Sequence, residues 1–230
     1  MVRTAPRARS RCSSPQTNSS ERTEGPARLP VKLVLASRSP QRSSLLTQLA
    51  IPYRVAVSRH DESLHQGRPT HTVEDNARGK AQEVLARLRP PPGELVLGVD
   101  TVVVVDERVL GKASCEQDAA ASLRLLAGRT HEVHSGLHLC SSERAVTSSA
   151  LTAVTFRPLD EAAIAAYLAC GEWRERAGAY AIQGIGSALV EHIDGDYFNV
   201  VGLPVAALLE ALARFDVQPF SWLPGPVDES

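Results

Sequence analysis

From Val31 onward, short apolar runs alternate with amphipathic stretches. Leu33, Val34 and Leu35 read as a buried strand that stops abruptly in "ASRSPQR". Ser39 suits an N-cap there, and Pro40 suits the first helical position, where its fixed φ is already helical. The pattern therefore predicts a strand that hands over directly to a helix. Tyr53 to Ser58 predicts a second strand. Thr72 to Leu88 predicts a helix, because Val73, Ala77, Ala81, Val84, Leu85 and Leu88 recur at helical spacing, and "PPPG" at Pro90 to Gly93 ends it. Leu95 to Val105 reads as a long β-branched strand turned back by Asp106-Glu107 through Arg108 to Leu110.

The same pattern predicts a helix over Cys115 to Leu126 and strands over Thr130 to Cys140 and Arg144 to Arg157. A helix over Asp160 to Ala169 comes next, capped by Asp160. The Gly-rich segment "AGAYAIQGIG" then leads to a strand over Ser187 to Ile193 and a last helix from Pro204 to near Phe215. Crossovers mixed with hairpins point to one α/β domain over residues 31–215, with a mixed, twisted sheet, flanking helices and two lobes. Residues 1–30 are rich in Ser, Arg, Pro and Thr and are expected to be a disordered extension. Their acid-poor composition also matches an organelle transit peptide, and a start site placed ahead of the domain is a third reading. Residues 216–230 are expected to be a tail.

Composition narrows the function classes. A net charge of -1 in 230 residues argues against bulk nucleic-acid binding but leaves room for a small anion held by a few cations. Cys12, Cys115, Cys140 and Cys170 have no metal-ligand spacing and are expected to be reduced thiols. His131, His134 and His138 fall in a strand-like run, where residues three apart face opposite sides, so a metal site is not expected there. No apolar run approaches the roughly 20 residues that cross a bilayer, and no secretory h-region is present. A cytoplasmic protein without nucleic-acid or membrane partners is expected.

Several residues could do chemistry. The strand-to-helix turn at Ser39 and Pro40, flanked by Arg38 and Arg42, could bind a phosphate, although most such turns bind nothing. Asp100 interrupts the apolar run "LVLGVDTVVVVD", where a carboxylate is costly unless it is paired or holds a metal. A structural aspartate bonded to backbone N–H groups is the equal alternative. Lys80 falls inside the helical stripe, where lysines usually snorkel to water, and Lys112 reads as a solvated residue after a hairpin arm. Glu62, beside Asp61 in a loop, could bind a hard cation through oxygen. Gln183 lies among Gly178, Gly184 and Gly186, where backbone can approach a ligand and an amide can read a base edge.

Five segments, "LASRSPQR", "VLGVDTVVVVDERVLGK", "LAGRTHEVHSG", "GEWRERAGAYAIQG" and "GDYFNVVGLP", occur in one order and spacing. Together they resemble the Maf family of nucleoside triphosphate pyrophosphatases over Val31 to about Phe215. The resemblance implies a Maf/ITPase-like α/β fold whose two lobes flank a nucleotide cleft, often in a homodimer. It also implies hydrolysis of a nucleoside triphosphate to the monophosphate and diphosphate with a divalent metal, Mg2+ or Mn2+. Position by position, it makes Asp100 the proton acceptor for the attacking water and Glu62, with Asp100, a metal-linked acid. Ser37, Arg42, Lys80 and Lys112 would line the phosphate site.

Thr101 and Gln183 resemble the dTTP/UTP branch, whereas the 7-methyl-GTP branch looks like "SDQV" and "SEG" at these places. The dTTP/UTP branch usually reads "SPRR" where this chain has "SPQR", so Gln41 removes a cation at a position linked to substrate choice. Arg176 in place of lysine and Ala181 in place of glycine are milder departures. The expectation is a dTTP/UTP pyrophosphatase that guards the nucleotide pool and acts on modified nucleotides as well. A 7-methyl-GTP-preferring or broad-specificity enzyme and a non-catalytic nucleotide-binding regulator linked to cell-division arrest are the alternatives.

Overall fold

A computed structural model describes residues 32–65 and 67–223. The expectation for residues 1–30 lies outside them, as do Cys12 and the end of the expected tail. Among the described residues seven strands form one sheet: β1 (Lys32–Leu35), β2 (Tyr53–Val55), β3 (Glu94–Val105), β4 (Arg108–Leu110), β5 (Thr130–Cys140), β6 (Ala145–Phe156) and β7 (Val190–Asp194). Their order is β2-β1-β3-β5-β6-β7, with β4 hairpinned onto β3. The β2-β1-β3 side is parallel and the remainder antiparallel, so the sheet is mixed, as the sequence pattern predicts.

Helices α1 (Pro40–Gln48), α2 (Pro69–Leu88), α3 (Glu116–Leu126), α4 (Glu161–Ala169), α5 (Tyr197–Val201) and α6 (Val205–Ala213) cover the sheet. Their apolar faces build two main cores. One joins β1, α1, α6 and the first half of β3 around Leu33, Leu46, Leu97 and Leu208. The other joins the second half of β3 with α3, α4 and the Gly-rich segment around Val103, Leu123, Phe156 and Tyr180. Beyond α6, Trp222 also packs on the first core, and its indole N–H donates to the Leu49 carbonyl at 2.9 Å.

Three expectations are corrected. The strand expected over Ser187 to Ile193 begins only at Val190, because Ile185–Leu189 is a 3-10 turn. Glycines before and within that stretch favour a tight turn over an extended edge. The second strand closes at Val55, three residues short of the prediction. A five-residue helix, α5, is absent from the sequence pattern; Asp196 caps it by accepting the Phe198 N–H, and Gly202 ends it at φ 118, a conformation that favours glycine.

The seat of α2 on the sheet sets the position of the buried polar groups. A Cβ on Gly98 of β3 would stand 2.0 Å from the Ala77 carbonyl oxygen, and one on Gly136 of β5 would stand 2.2 Å from the Val73 oxygen. Both glycines therefore let the helix backbone lie almost directly on the strands. Asp100 is two residues from Gly98 and pairs across the ladder with Gly136, so it faces α2 between the two contact points.

Candidate active site

Asp100 is 5% exposed and emerges where α2 presses on the sheet. Its Oδ1 accepts from Lys80 Nζ at 2.7 Å and its Oδ2 from Asn76 Nδ2 at 2.9 Å. Asn76 and Lys80 are four apart on α2 and so share a face. The expectation that Lys80 snorkels to water fails: its side chain is 9% exposed. Its ammonium also meets Glu62 Oε1 at 2.6 Å and the Val99 carbonyl at 3.5 Å, so three acceptors answer its three protons. Burial alone would raise the Asp100 pKa, but the Lys80 charge and hydrogen bond, the Asn76 amide and the Arg42 charge outweigh it and hold the carboxyl below its ordinary value.

A second cluster adjoins the first through consecutive residues of β3. Arg42, in the first turn of α1, is buried. It donates through Nη1 to Ser37 Oγ at 2.9 Å, through Nη2 to Thr101 Oγ1 at 3.1 Å and through Nε to the Gly202 carbonyl at 2.8 Å. Burial lowers the Arg42 pKa, while the charges of Asp100 and Glu62 oppose that shift. The Thr101 hydroxyl also bonds Ser135 Oγ at 2.9 Å. At the start of α1, Ser39 occupies the cap position without a side-chain capping bond; its hydroxyl donates to Gln41 Oε1 at 3.0 Å.

The loop carrying Glu62 is clamped to α2. The Ser63 N–H donates to Asn76 Oδ1 at 2.9 Å, and Asn76 Nδ2 donates to the Ser63 carbonyl at 3.0 Å as well as to Asp100. Asn76 escaped the sequence reading; the one hint in the sequence is that it stands one helical turn before Lys80, next to the apolar stripe.

Lys112 and Gln183 belong with the Gly-rich segment. Lys112 lies exposed beyond β4, bridges to Ala177 and pairs with Glu175 Oε2 at 3.3 Å. Gln183 is exposed at the entrance to the 3-10 turn. That segment is anchored by side chains: Glu172 accepts the Ile185 and Gly186 N–H groups at 2.9 and 3.0 Å, and the Tyr167 hydroxyl accepts the Ala181 N–H at 3.0 Å. His131 Nε2 and the Tyr180 hydroxyl bond at 2.9 Å within the core, and burial there pushes the His131 pKa down to about 4. The three strand histidines go to separate partners, Tyr180, Glu132 and Thr147.

The ordered motifs on this scaffold match a known family model, "Maf-like protein", over residues 32–215. The chain belongs to the Maf-like protein family. Curated relatives named "dTTP/UTP pyrophosphatase" include one from Moorella thermoacetica, 48% identical over 189 residues that cover 81% of this chain and 96% of that protein. Another, from Bacillus mycoides, is 44% identical over 80% of this chain and 96% of its own length. A third, from Gloeobacter violaceus, is 44% identical over 83% of this Maf-like chain and 99% of its own.

Family resemblance implies a divalent metal, and the donor set of this Maf-like chain fits one. Glu62 and Asp100 are brought together by the Lys80 ammonium that both accept from, both oxygens of Asp100 keep lone pairs beyond their single hydrogen bonds, and Glu62 is 58% exposed. An all-oxygen pair of this kind suits a hard cation that keeps most of its water.

Proposed function

We propose that this chain hydrolyses nucleoside triphosphates between the α- and β-phosphates, releasing the nucleoside monophosphate and diphosphate, with dTTP and UTP preferred. The observation that carries the reading is Asp100, a buried carboxylate kept ionised beside Lys80 and one residue from the Arg42 anchor, in a chain whose relatives bear that activity in their names.

In this reading Asp100 is the proton acceptor. A water between it and the α-phosphorus gives its proton to a carboxylate oxygen as the new P–O bond forms and diphosphate leaves. Ser37, Arg42, Lys80 and Lys112 bind the phosphates and offset the charge that builds on their oxygens. Glu62 is the exposed member of the Lys80 triad, so it is the partner that a phosphate oxygen displaces. Glu62 and Asp100 are also the residues that would hold Mg2+ or Mn2+, which supplies further charge neutralisation when bound. Gln41, Thr101 and Gln183 govern substrate choice: Gln183 by reading the base edge, Thr101 by fixing Arg42, and Gln41 by presenting an amide where the branch usually has a cation. The reading extends to a homodimer acting on the cytoplasmic nucleotide pool.

Diphosphate release from purified protein tests the proposal, using dTTP, UTP, CTP, ATP, GTP and 7-methyl-GTP with Mg2+ or Mn2+. Fastest release from dTTP and UTP is expected. Absence of release from every nucleotide overturns the enzymatic reading, and fastest release from 7-methyl-GTP overturns the substrate assignment.

A further inference from the structure

One side-chain cluster has no part in the nucleotide chemistry. His65, on the loop ahead of α2, meets His71 and Asp75 near the start of that helix, and one ligand-type atom from each lies within 4.8 Å of the others. Both imidazoles address the same carboxylate oxygen. His65 Nε2 is 3.3 Å and His71 Nδ1 3.2 Å from Asp75 Oδ2. The two rings stand edge to face with centroids 4.7 Å apart.

Bonds that do not use these atoms hold the arrangement. His71 and Asp75 are four apart and share a helix face. The His65 N–H donates to Thr72 Oγ1 at 2.9 Å, and the Thr72 hydroxyl donates back to the His65 carbonyl at 3.3 Å. Asp75 Oδ1 is fixed by Arg78 Nη1 at 2.7 Å, which leaves Oδ2 turned toward the histidines. Ser63 Oγ, at 3.5 Å from His65 Nε2, is the other polar contact of that ring.

We propose that His65, His71 and Asp75 bind a divalent ion of the borderline class, Zn2+ or Co2+, at a site separate from the Glu62/Asp100 pair. Tetrahedral coordination with bonds of about 2.0–2.1 Å spaces neighbouring ligand atoms about 3.3–3.4 Å apart. Two of the three separations here already meet that spacing. Two imidazole nitrogens and one carboxylate oxygen form the three-ligand set of open sites, with water in the fourth place, and nitrogen donors select against Mg2+. The side chains are 30 to 53% exposed, which leaves room for that water. Arg78 is the outer-sphere partner that orients the carboxylate.

The ion would also act at a distance. His65 is three residues from Glu62 on a loop that Asn76 and Thr72 clamp to α2, and Asp75 adjoins Asn76, the Asp100 partner. A bound ion adds a third clamp and holds Glu62 toward Lys80. This consequence rests on the nucleotide reading, whereas the site itself does not.

The test is Co2+ uptake by the full chain, with thiols capped by iodoacetamide and excess Mg2+ present to fill oxygen-only sites. Equilibrium dialysis and the visible absorption of Co2+ are read together. One equivalent is expected in the wild type, with at least a tenfold loss of affinity in His65→Ala and in His71→Ala, and no loss in Glu62→Gln or His134→Gln. Far-UV circular dichroism confirms that the variants are folded; both histidines are partly exposed, so their replacement leaves the core intact. No uptake by the wild type, unchanged uptake in the two histidine variants, or an equal loss in Glu62→Gln overturns the proposal. Failure of the nucleotide reading shows separately, as absent diphosphate release, and does not alter the Co2+ readout.

Discussion

Lys80 and Lys112 are the same residue in opposite settings, and the regions around them differ in the same way. At the sheet centre, Lys80, Asp100, Asn76 and Arg42 are buried and bonded to one another or to their immediate neighbours, and glycines let the backbone close over them. By the Gly-rich segment, Lys112 and Gln183 are exposed; Lys112 has one surface ion pair with Glu175, and the backbone nearby is tied down by Glu172 and Tyr167. The centre is bonded together without any ligand, so on the proposed reading damage there is expected to cost folding and chemistry together. Exposed groups contribute little stability, so on the same reading damage at Lys112 or Gln183 is expected to fall on binding and selectivity.

The largest effects are expected at the centre. Asp100→Asn should keep nucleotide binding but lower diphosphate release about 10³-fold, the scale of a lost general base. Lys80→Met should leave a buried carboxylate uncompensated and cost about 3–5 kcal/mol in chemical denaturation. An unchanged unfolding midpoint would show that the centre is not organised by that ion pair.

Acid probes the contrast from outside the centre. His131 and His138 both have pKa values pushed down to about 4 by burial, from 6.5 in the unfolded chain. Their contribution to stability is complete above pH 6.5 and is lost as pH falls toward 4, where the unfolded chain takes up protons that the native one refuses. Each histidine should remove up to about 3 kcal/mol across that window. Measured unfolding free energies for His131→Gln should show a flatter pH dependence than the wild type.

Other substitutions should have smaller effects. Gly98→Ala should push α2 off the sheet, costing about 1–3 kcal/mol and reducing turnover, because its neighbour is backbone that cannot turn aside. Lys112→Ala should leave the melting temperature nearly unchanged, since an exposed pair contributes about 0–1 kcal/mol, and should raise KM about tenfold with little loss of kcat. Gln41→Arg should raise kcat/KM for dTTP and UTP about tenfold, a difference of about 1.4 kcal/mol.

Long periodic elements were legible in the sequence. The 3.6-residue recurrence over α2 and the β-branched run of β3 carry enough repeats to stand clear of local noise. Ile185–Leu189 and α5 were not, because five residues hold barely more than one helical turn and glycine-flanked apolar residues suit a turn or a strand alike. At the site, a carboxylate in an apolar strand announced a need for partners but not their identity. Lys80 is 20 positions away, and its burial comes from how closely α2 seats on Gly98 and Gly136, which no local pattern encodes. Asn76 was overlooked because a helical asparagine reads as solvated until the loop it clamps is in view.

The seat of α2 has a consequence for how such a molecule can be altered. Helix and sheet meet at two positions where hydrogen atoms stand in place of side chains, so no residue there can be trimmed or enlarged to retune the spacing between ammonium and carboxylate. A designer would therefore leave that seam alone and work on exposed positions such as Lys112 and Gln183, where side chains can be exchanged without moving the frame.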